Sequence, residues 1–141
     1  MSDEVTRTAL DFDSAERFVS LRRALGVESF GINLLTLRPG ERGRVHRHRT
    51  QEEVYVVLQG TLTVELEDGP QELAAREAIR VPAHVRRRLQ NTGDETVVLI
   101  ALGGAGQHAG RDGEAFVDWD DEQPKPPQEV PLPADLPRQQ A

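Results

Sequence analysis

Two histidines and a glutamate in the first half of the chain form a set of residue types that can bind a metal ion. His46 and His48 are two residues apart, so on a β-strand both imidazoles point to the same face. Glu53 begins the next strand-like run, near enough in sequence to fold back beside them. Two neutral imidazoles and one carboxylate suit a divalent first-row ion such as zinc, iron, nickel or manganese. A His-x-His pair in an arginine-rich segment is also common in solvated loops, so the pair alone does not distinguish a metal site from a loop.

The spacing around these residues is more informative than their types. Gly40, His46, His48, Glu53 and Gly60 match the first motif of the cupin superfamily, G-x5-H-x-H-x3,4-E-x6-G, at every fixed position. The chain therefore resembles a small single-domain cupin over roughly residues 30 to 103. The resemblance implies a double-stranded β-helix barrel of the jelly-roll type, with the metal ligands pointing into the barrel mouth. The distance to Gly60 selects Glu53 as the inward-facing carboxylate, because its neighbour on a strand faces outward.

The second cupin motif, G-x5-P-x-G-x2-H-x3-N, is matched only in part. Pro82 and Asn91 are present, but Arg76 and His84 stand at the two glycine positions. Arg87 stands where the family has its fourth metal ligand, a histidine. A guanidinium stays protonated and has no lone pair to give a metal. A site of three histidines and one glutamate therefore cannot form in this chain.

Three arrangements remain open at this position. In the first, His46, His48 and Glu53 bind the metal and water completes its coordination. In the second, His84 replaces the missing ligand. In the third, no metal binds and Arg87 pairs with Glu53 inside the barrel, because a buried carboxylate needs a cationic partner. We expect the first, with weaker metal binding than at a four-ligand site, because Arg87 repels a dication and competes for Glu53.

The residues assigned to substrate binding are Arg87, Tyr55 and His84. Tyr55 follows Glu53 by two residues and so shares its face of the strand, although a tyrosine in the core is the more common case. Arg87 is expected to turn toward the anionic group of a substrate. Four further arginines surround the histidines and form either a solvated loop or a positive collar that attracts an anion; they are Arg42, Arg44, Arg47 and Arg49.

The resemblance implies a cupin that binds a small molecule. We expect a metal-dependent enzyme of the dioxygenase, isomerase or decarboxylase type, with a divalent metal cofactor and a small, anionic organic substrate. The alternative is a metal-free, non-catalytic ligand-binding or sensor cupin in which Arg87 replaces the fourth ligand. A structural, dimer-forming subunit without a ligand is a third possibility.

Hydropathy patterns predict the mainly β elements that must position these residues. Short apolar or alternating runs recur between turn signals, which is typical of an antiparallel sandwich or barrel. Residues 96–102 are apolar enough to be covered on both faces, and we therefore expect a homodimer that buries part of this surface. The runs are Ile32–Arg38, Val54–Leu58, Leu62–Leu66, Ile79–Pro82 and Thr96–Leu102, with a hairpin turn at Asp68-Gly69.

The barrel is expected over residues 27–118, between an N-terminal arm (1–26) and a Pro-rich extended tail (119–141). In the arm, Asp13 and Glu16 indicate a capping box and Gly26 a helix end. The competing prediction is a short strand over residues 17–21. Six of the nine prolines lie in the tail, so it should be extended and either mobile or docked on a surface, with Trp119 pinning it to the body.

Composition excludes several classes of protein. The 141 residues fit one domain, and the net charge of −7 argues against a nucleic-acid partner. The absence of cysteine excludes disulfides and thiolate zinc sites. No apolar run is long enough for a membrane span, and no apolar N-terminal stretch resembles a secretion signal. We therefore expect a cytoplasmic protein without a membrane partner.

Overall fold

The fold is mainly β, as the hydropathy pattern predicted, and it is seen here in a computed structural model that describes residues 3–104 and 112–137. Within these residues the elements are β1 (Phe18–Ser20), α1 (Leu21–Leu25), β2 (Gly31–Leu37), β3 (Val45–His48), β4 (Glu52–Gln59), β5 (Leu62–Leu66), β6 (Gly69–Leu73), β7 (Ala78–Val81), β8 (Arg87–Gln90), β9 (Val97–Gly104), β10 (Gly113–Phe116) and a 3-10 turn at Pro127–Glu129.

The strands form two antiparallel five-stranded sheets in the jelly-roll arrangement. Their orders are β1-β2-β9-β4-β7 and β10-β3-β8-β5-β6. Each predicted run overlaps one of these strands and extends at most one residue beyond it, and the hairpin predicted at Asp68-Gly69 joins β5 to β6. Alternate side chains of both sheets point inward and pack into one core. Its buried members include Tyr55, Val57, Leu99 and Ala101 from the first sheet and Leu62, Val64 and Leu89 from the second.

A second apolar layer covers the outer face of the first sheet. Val98 on β9 and Leu34 on β2 are buried there beneath Leu21 of the arm, with Phe12 and Leu25 packed beside them. Strand β9 is thus covered on both faces, as predicted, but the cover on its outer face comes from the chain's own arm. The homodimer stays a prediction. It can no longer be inferred from the outer face of β9, because the arm covers that face.

The N-terminal arm combines the two elements that were weighed against each other. Residues 18–20 pair with β2, as the strand alternative predicted, and a single helical turn follows. The hydroxyl of Ser20 accepts from Arg23 N (3.1 Å), and Gly26, at φ 75°, donates to the Arg22 carbonyl (2.9 Å). The predicted helix end at Gly26 is therefore confirmed. The capping box at Asp13 is wrong, because pairing with β2 delays the helix start to Ser20.

The Pro-rich tail lies extended on the barrel, with one short 3-10 turn. Trp119 Nε1 donates to Glu65 Oε1 (2.7 Å), which pins the start of the tail as predicted. Val130 is buried, and the Leu136 amide donates to the Gly40 carbonyl (2.7 Å). Residues 138–141, the end of the predicted tail, lie outside the described residues. None of the helices in the described part of the chain reaches the length and apolar character needed to cross a lipid bilayer.

The contact between Gly40 and the tail can be tested with two glycine substitutions. Gly40 and Gly26 both have positive φ, but a Cβ at Gly40 would lie 2.9 Å from the Leu136 carbonyl oxygen, whereas none of the described atoms lies within 4 Å of one at Gly26. Gly26→Ala should lower the unfolding free energy by about 1–2 kcal/mol. Gly40→Ala should cost about 1–3 kcal/mol more, because backbone must move to relieve the clash.

Urea unfolding measures both variants, and hydrogen exchange at the Leu136 amide reports the tail contact. Exchange there should accelerate in Gly40→Ala and stay unchanged in Gly26→Ala. Equal costs for the two substitutions would show that the tail does not press on Gly40.

Candidate metal centre

Three strands from both sheets bring the predicted site residues together. His46 and His48 lie on β3 of the second sheet, and Glu53 and Tyr55 lie on β4 of the first sheet. Residues 49–51 carry the chain from one sheet to the other, which folds the carboxylate back over the histidines. Arg87 on β8 is the direct cross-strand partner of His46, so its side chain enters the barrel from the same face.

The donor atoms are close enough for one ion to contact them. Glu53 Oε1 lies 3.1 Å from His48 Nε2 and 3.6 Å from His46 Nε2. Both separations are shorter than twice the usual metal–ligand distance of about 2.1 Å. All three donors lie within 4.8 Å of one another. The two imidazole rings are nearly perpendicular, at 84°, with centroids 5.6 Å apart.

The imidazoles are held by their other nitrogens. His46 Nδ1 lies 3.2 Å from the carbonyl oxygen of Arg44, which accepts a hydrogen bond from Nδ1 in the tautomer that leaves Nε2 free for a ligand. His48 Nδ1 is buried without a hydrogen-bond partner in the described part of the chain, and it lies 3.6 Å from Asp112 Oδ2. Metal-binding histidines characteristically have an oxygen behind the non-ligating nitrogen. The donor set and its orientation therefore fit a divalent ion.

A buried guanidinium shares the carboxylate with the histidines. Arg87 is fully buried, and its Nη2 donates to Glu53 Oε1 (3.2 Å). The Tyr55 hydroxyl donates to the same oxygen (2.6 Å) and accepts from Arg87 Nε (3.3 Å). Arg87 Nη1 donates to the carbonyls of Ala83 (3.2 Å) and Val85 (2.6 Å). The ion pair weighed in the sequence analysis is thus present in the structure.

Burial and charge act in opposite directions on the two acidic groups of this network. Burial alone raises the pKa of the Glu53 carboxyl, but hydrogen bonds and charge from His46 and His48 outweigh it and hold that pKa well below its usual value. The pKa of the Tyr55 hydroxyl is raised well above its usual value, first by burial and then by the charge of Glu53. Glu53 therefore stays a carboxylate and Tyr55 stays a donor at neutral pH.

The structure separates the other predicted site residues. Glu52 lies on the outer face and pairs with Arg80 (2.6 Å), so Glu53 is the inward-facing carboxylate, as expected. Tyr55 reaches the cavity wall, whereas Arg87 lies behind it and is not among the lining residues. His84 is exposed in the turn before β8 and is not a lining residue either. Substrate contact by Arg87 or His84 would thus require a rearrangement.

Asp112 is the residue of this site that sequence reasoning missed. Its carboxylate accepts from the amides of Thr50 (3.0 Å) and Gln51 (2.8 Å) and from the Thr50 hydroxyl (2.8 Å). It therefore holds the link between β3 and β4 and stands behind His48. Asp112 lies 61 residues along the chain from Gln51. No motif spacing marks such a position.

The arginines around the histidines mainly hold other segments in place. Arg42 Nε and Arg44 Nε donate to the tail carbonyls of Ala134 and Val130. Arg47 pairs with Glu114 (3.0 Å), and Arg49 lies 3.8 Å from the same carboxylate. Of these four, Arg44 lines the cavity. Most of these arginines therefore form neither a solvated loop nor a collar around the cavity, and instead contact the tail or Glu114.

The metal donors lie in an open cavity of about 640 Å³. The barrel supplies its floor, and the arm and the tail supply part of its wall. Lining residues from the barrel include Leu35, Leu37, Leu89 and Ala101; those from the arm and tail include Phe18, Arg22, Pro127 and Leu132.

Comparison with known proteins identifies the family. The sequence profile described as "Cupin domain" matches residues 33–103, half of the chain. The chain belongs to the cupin superfamily. It is 36% identical over 75 residues to protein SchB of Streptomyces halstedii, covering 53% of this chain and 54% of SchB. It is 34% identical over 76 residues to "Polyketide synthase CurC" of Streptomyces cyaneus, covering 54% of this chain and 49% of CurC. The chain thus spans about half the length of the curated relatives it matches.

Solved cupin structures share this fold at low identity. A cupin protein from Bacteroides fragilis superposes with a TM-score of 0.65 at 20% identity, covering 78% of this chain and 92% of its own. A protein named sugar phosphate isomerase, from Silicibacter pomeroyi, superposes with a TM-score of 0.61 at 21% identity, covering 83% and 80% of the two chains. At these identities the likeness supports the jelly-roll barrel of this cupin and not a particular reaction.

The buried pair predicts a large difference between two arginine substitutions in this cupin. Arg87→Met should lower the unfolding free energy by about 3–5 kcal/mol, because it leaves Glu53 without its buried cation. The lower end is expected, since the Glu53 side chain keeps 14% exposure. Arg80→Gln is the control, because its pair with Glu52 is 61% and 54% exposed and should be worth less than about 1 kcal/mol.

Urea unfolding of Arg87→Met, Glu53→Gln and the double variant measures the coupling between the two residues. We expect a coupling energy above about 1 kcal/mol. Additive effects would contradict an energetic role for this pair.

Asp112 predicts an acid-dependent contribution to stability. Burial raises the pKa of its carboxyl, but hydrogen bonds from Gln51 and Thr50 outweigh burial and lower it from its ordinary value of 3.8. The stabilisation is therefore present above pH 3.8 and is lost as the pH falls through the folded-state pKa. Asp112→Asn should cost about 1–3 kcal/mol at pH 7, and this cost should shrink below about pH 4. Urea unfolding from pH 7 to pH 3 measures it; a cost that does not vary with pH would contradict the assignment.

Proposed function

We propose that this cupin is a metal-dependent enzyme that acts on a small, anionic organic substrate. The observation that carries the proposal is the convergence of His46, His48 and Glu53 within 4.8 Å on the cavity floor. A concave cavity of about 640 Å³ suits a small molecule. The reaction is of the dioxygenase, isomerase or decarboxylase type that the family resemblance implies.

The residues of the chain prepare the site for a divalent ion. The two histidines present Nε2 atoms to the cavity because their Nδ1 atoms face oxygens of Arg44 and Asp112. Glu53 supplies the anionic donor and remains ionised at neutral pH. Tyr55 and Arg87 orient this carboxylate through hydrogen bonds to Oε1. When bound, the ion supplies Lewis acidity or a coordination position for the substrate.

Arg87 distinguishes this site from the four-ligand centre of the family motif. It occupies the fourth-ligand position with a positive charge, which repels a dication by about 3–7 kcal/mol over roughly 5–10 Å at an effective dielectric of about 20. It also shares the oxygen that the metal needs. We therefore propose that the metal is bound by three protein ligands, more weakly than by four, and that positions remain open for substrate and water.

The ion pair favours one alternative function. Arg87 already donates hydrogen bonds to Glu53 and to the Tyr55 hydroxyl, so the buried carboxylate has a cationic partner within the protein. A non-catalytic, metal-free ligand-binding cupin would use this arrangement as it stands. Metal content distinguishes the two, because only the enzyme requires an ion on the histidines.

Two substitutions with opposite effects test the proposed metal centre. Arg87→His should tighten binding of Mn²⁺ or Zn²⁺ by about tenfold or more, because it removes a repelling charge and adds a ligand. Glu53→Gln should weaken binding by a similar factor, because it removes the anionic donor. Elemental analysis of protein purified without chelator, together with calorimetric titration of each metal, measures both effects.

Glu52→Gln is the matched control, since it removes a carboxylate one residue away on the outer face. It should leave metal affinity unchanged. Equal affinity in the parent protein, Arg87→His and Glu53→Gln would show that the metal, if any, binds elsewhere. If the parent protein binds no metal even when the metal is at millimolar concentration, the metal-free alternative is favoured.

A further inference from the structure

The mouth of the cavity is apolar, in contrast to its floor. Phe18 on β1 and Leu132 in the tail both line the cavity, although they are 57% and 45% exposed. Leu35, which is opposite Phe18 in the β1–β2 register, and Pro127 continue this apolar wall. Large apolar side chains left in solvent at one concave site mark a surface that binds something.

The arm also places a cation without an anionic partner at this cavity. Arg17, Arg22 and Arg23 all line it. Arg17 is paired with Glu41 (3.0 Å) and Asp135 (3.4 Å), but within residues 3–104 and 112–137 neither Arg22 nor Arg23 forms an ion pair. Arg22 Nε is moreover buried and lacks a hydrogen-bond partner among these residues. The Arg22 guanidinium therefore lines the cavity without an ion pair, and a ligand carboxylate placed beside it would supply the anionic partner.

We propose that the cavity takes an amphiphilic monoanion: an apolar ring or chain packed against Phe18, Leu35 and Leu132, with its carboxylate or similar group on Arg22. This deepens the proposed function by naming the substrate class and rests on it for the role of the site. A sugar phosphate fits this apolar part of the wall less well, because hydroxyls placed against Phe18, Leu35 and Leu132 would lose water without gaining hydrogen bonds from them.

Of the four residues that the proposal names, all but Leu35 lie outside the segment that the cupin profile matches. That segment is residues 33–103, whereas Phe18 and Arg22 belong to the arm and Leu132 to the tail. The metal donors all lie inside it. Ligand selection would therefore reside in additions to the barrel, and metal binding in the barrel itself.

A matched pair of probes tests the charge requirement. Calorimetry on the full chain would compare 1-naphthoate with its neutral isostere 1-naphthamide, and with glucose 6-phosphate, after dialysis against a chelator. We expect naphthoate to bind about tenfold or more tightly than naphthamide, and glucose 6-phosphate to bind more weakly than naphthoate. Dialysis against a chelator excludes direct coordination of the carboxylate to a metal.

Substitutions test where the charged group and the apolar ring of the ligand bind. Arg22→Gln should abolish the preference for naphthoate over naphthamide, and Arg22→Lys should restore part of it. Arg80→Gln, which removes an arginine from the outer face, should keep the preference. The double variant Phe18→Ser, Leu132→Ser should weaken both naphthalene probes about equally and should leave glucose 6-phosphate unchanged.

Several outcomes would overturn this proposal and none of them concerns the metal. They are equal binding of the two naphthalene probes, an unchanged preference in Arg22→Gln, tighter binding of glucose 6-phosphate, or no naphthoate binding at about 1 mM. If light scattering shows a dimer that the double serine variant dissociates while naphthoate binding persists, the apolar mouth is an interface between copies. Failure of metal binding with naphthoate selectivity intact would overturn the proposed enzyme and leave this ligand class standing.

Discussion

The buried guanidinium of Arg87 is the charge on which the interior of this barrel depends. It is fully buried and donates to Glu53, to the Tyr55 hydroxyl and to the carbonyls of Ala83 and Val85. Without it, Glu53 would lose its buried cation and the Val85 carbonyl would lose a hydrogen bond in a region of low dielectric. The two sheets are therefore joined at this point by charge as well as by apolar packing.

The same network limits what the site can do. Glu53 Oε1 faces both histidines and also accepts from Arg87 and Tyr55, so an ion placed there must share its only anionic donor. A metal ion bound through this oxygen would compete with Arg87 and Tyr55 for it. A histidine at the Arg87 position would favour the metal, and the arginine favours a barrel that is satisfied by its own side chains.

The N-terminal arm and the Pro-rich tail each have two roles. The arm covers the outer face of the first sheet with Leu21, and the tail docks through Val130 and Leu136. Both segments also reach the cavity, where they place Phe18, Arg22 and Leu132 around the mouth. Segments that stabilise the fold therefore also shape the space above the metal donors.

Features that depend on neighbouring residues along a strand could be predicted from residue types and spacing. Alternation placed Glu53 inside and Glu52 outside, motif spacing selected the three candidate metal ligands, and proline content predicted the extended tail. Only the tertiary structure decided which way the Arg87 side chain turns, that Asp112 stands behind His48, and that the chain's own arm covers β9. Those features join segments far apart in sequence, and their contacts depend on how the two sheets pack, which no local period or spacing encodes.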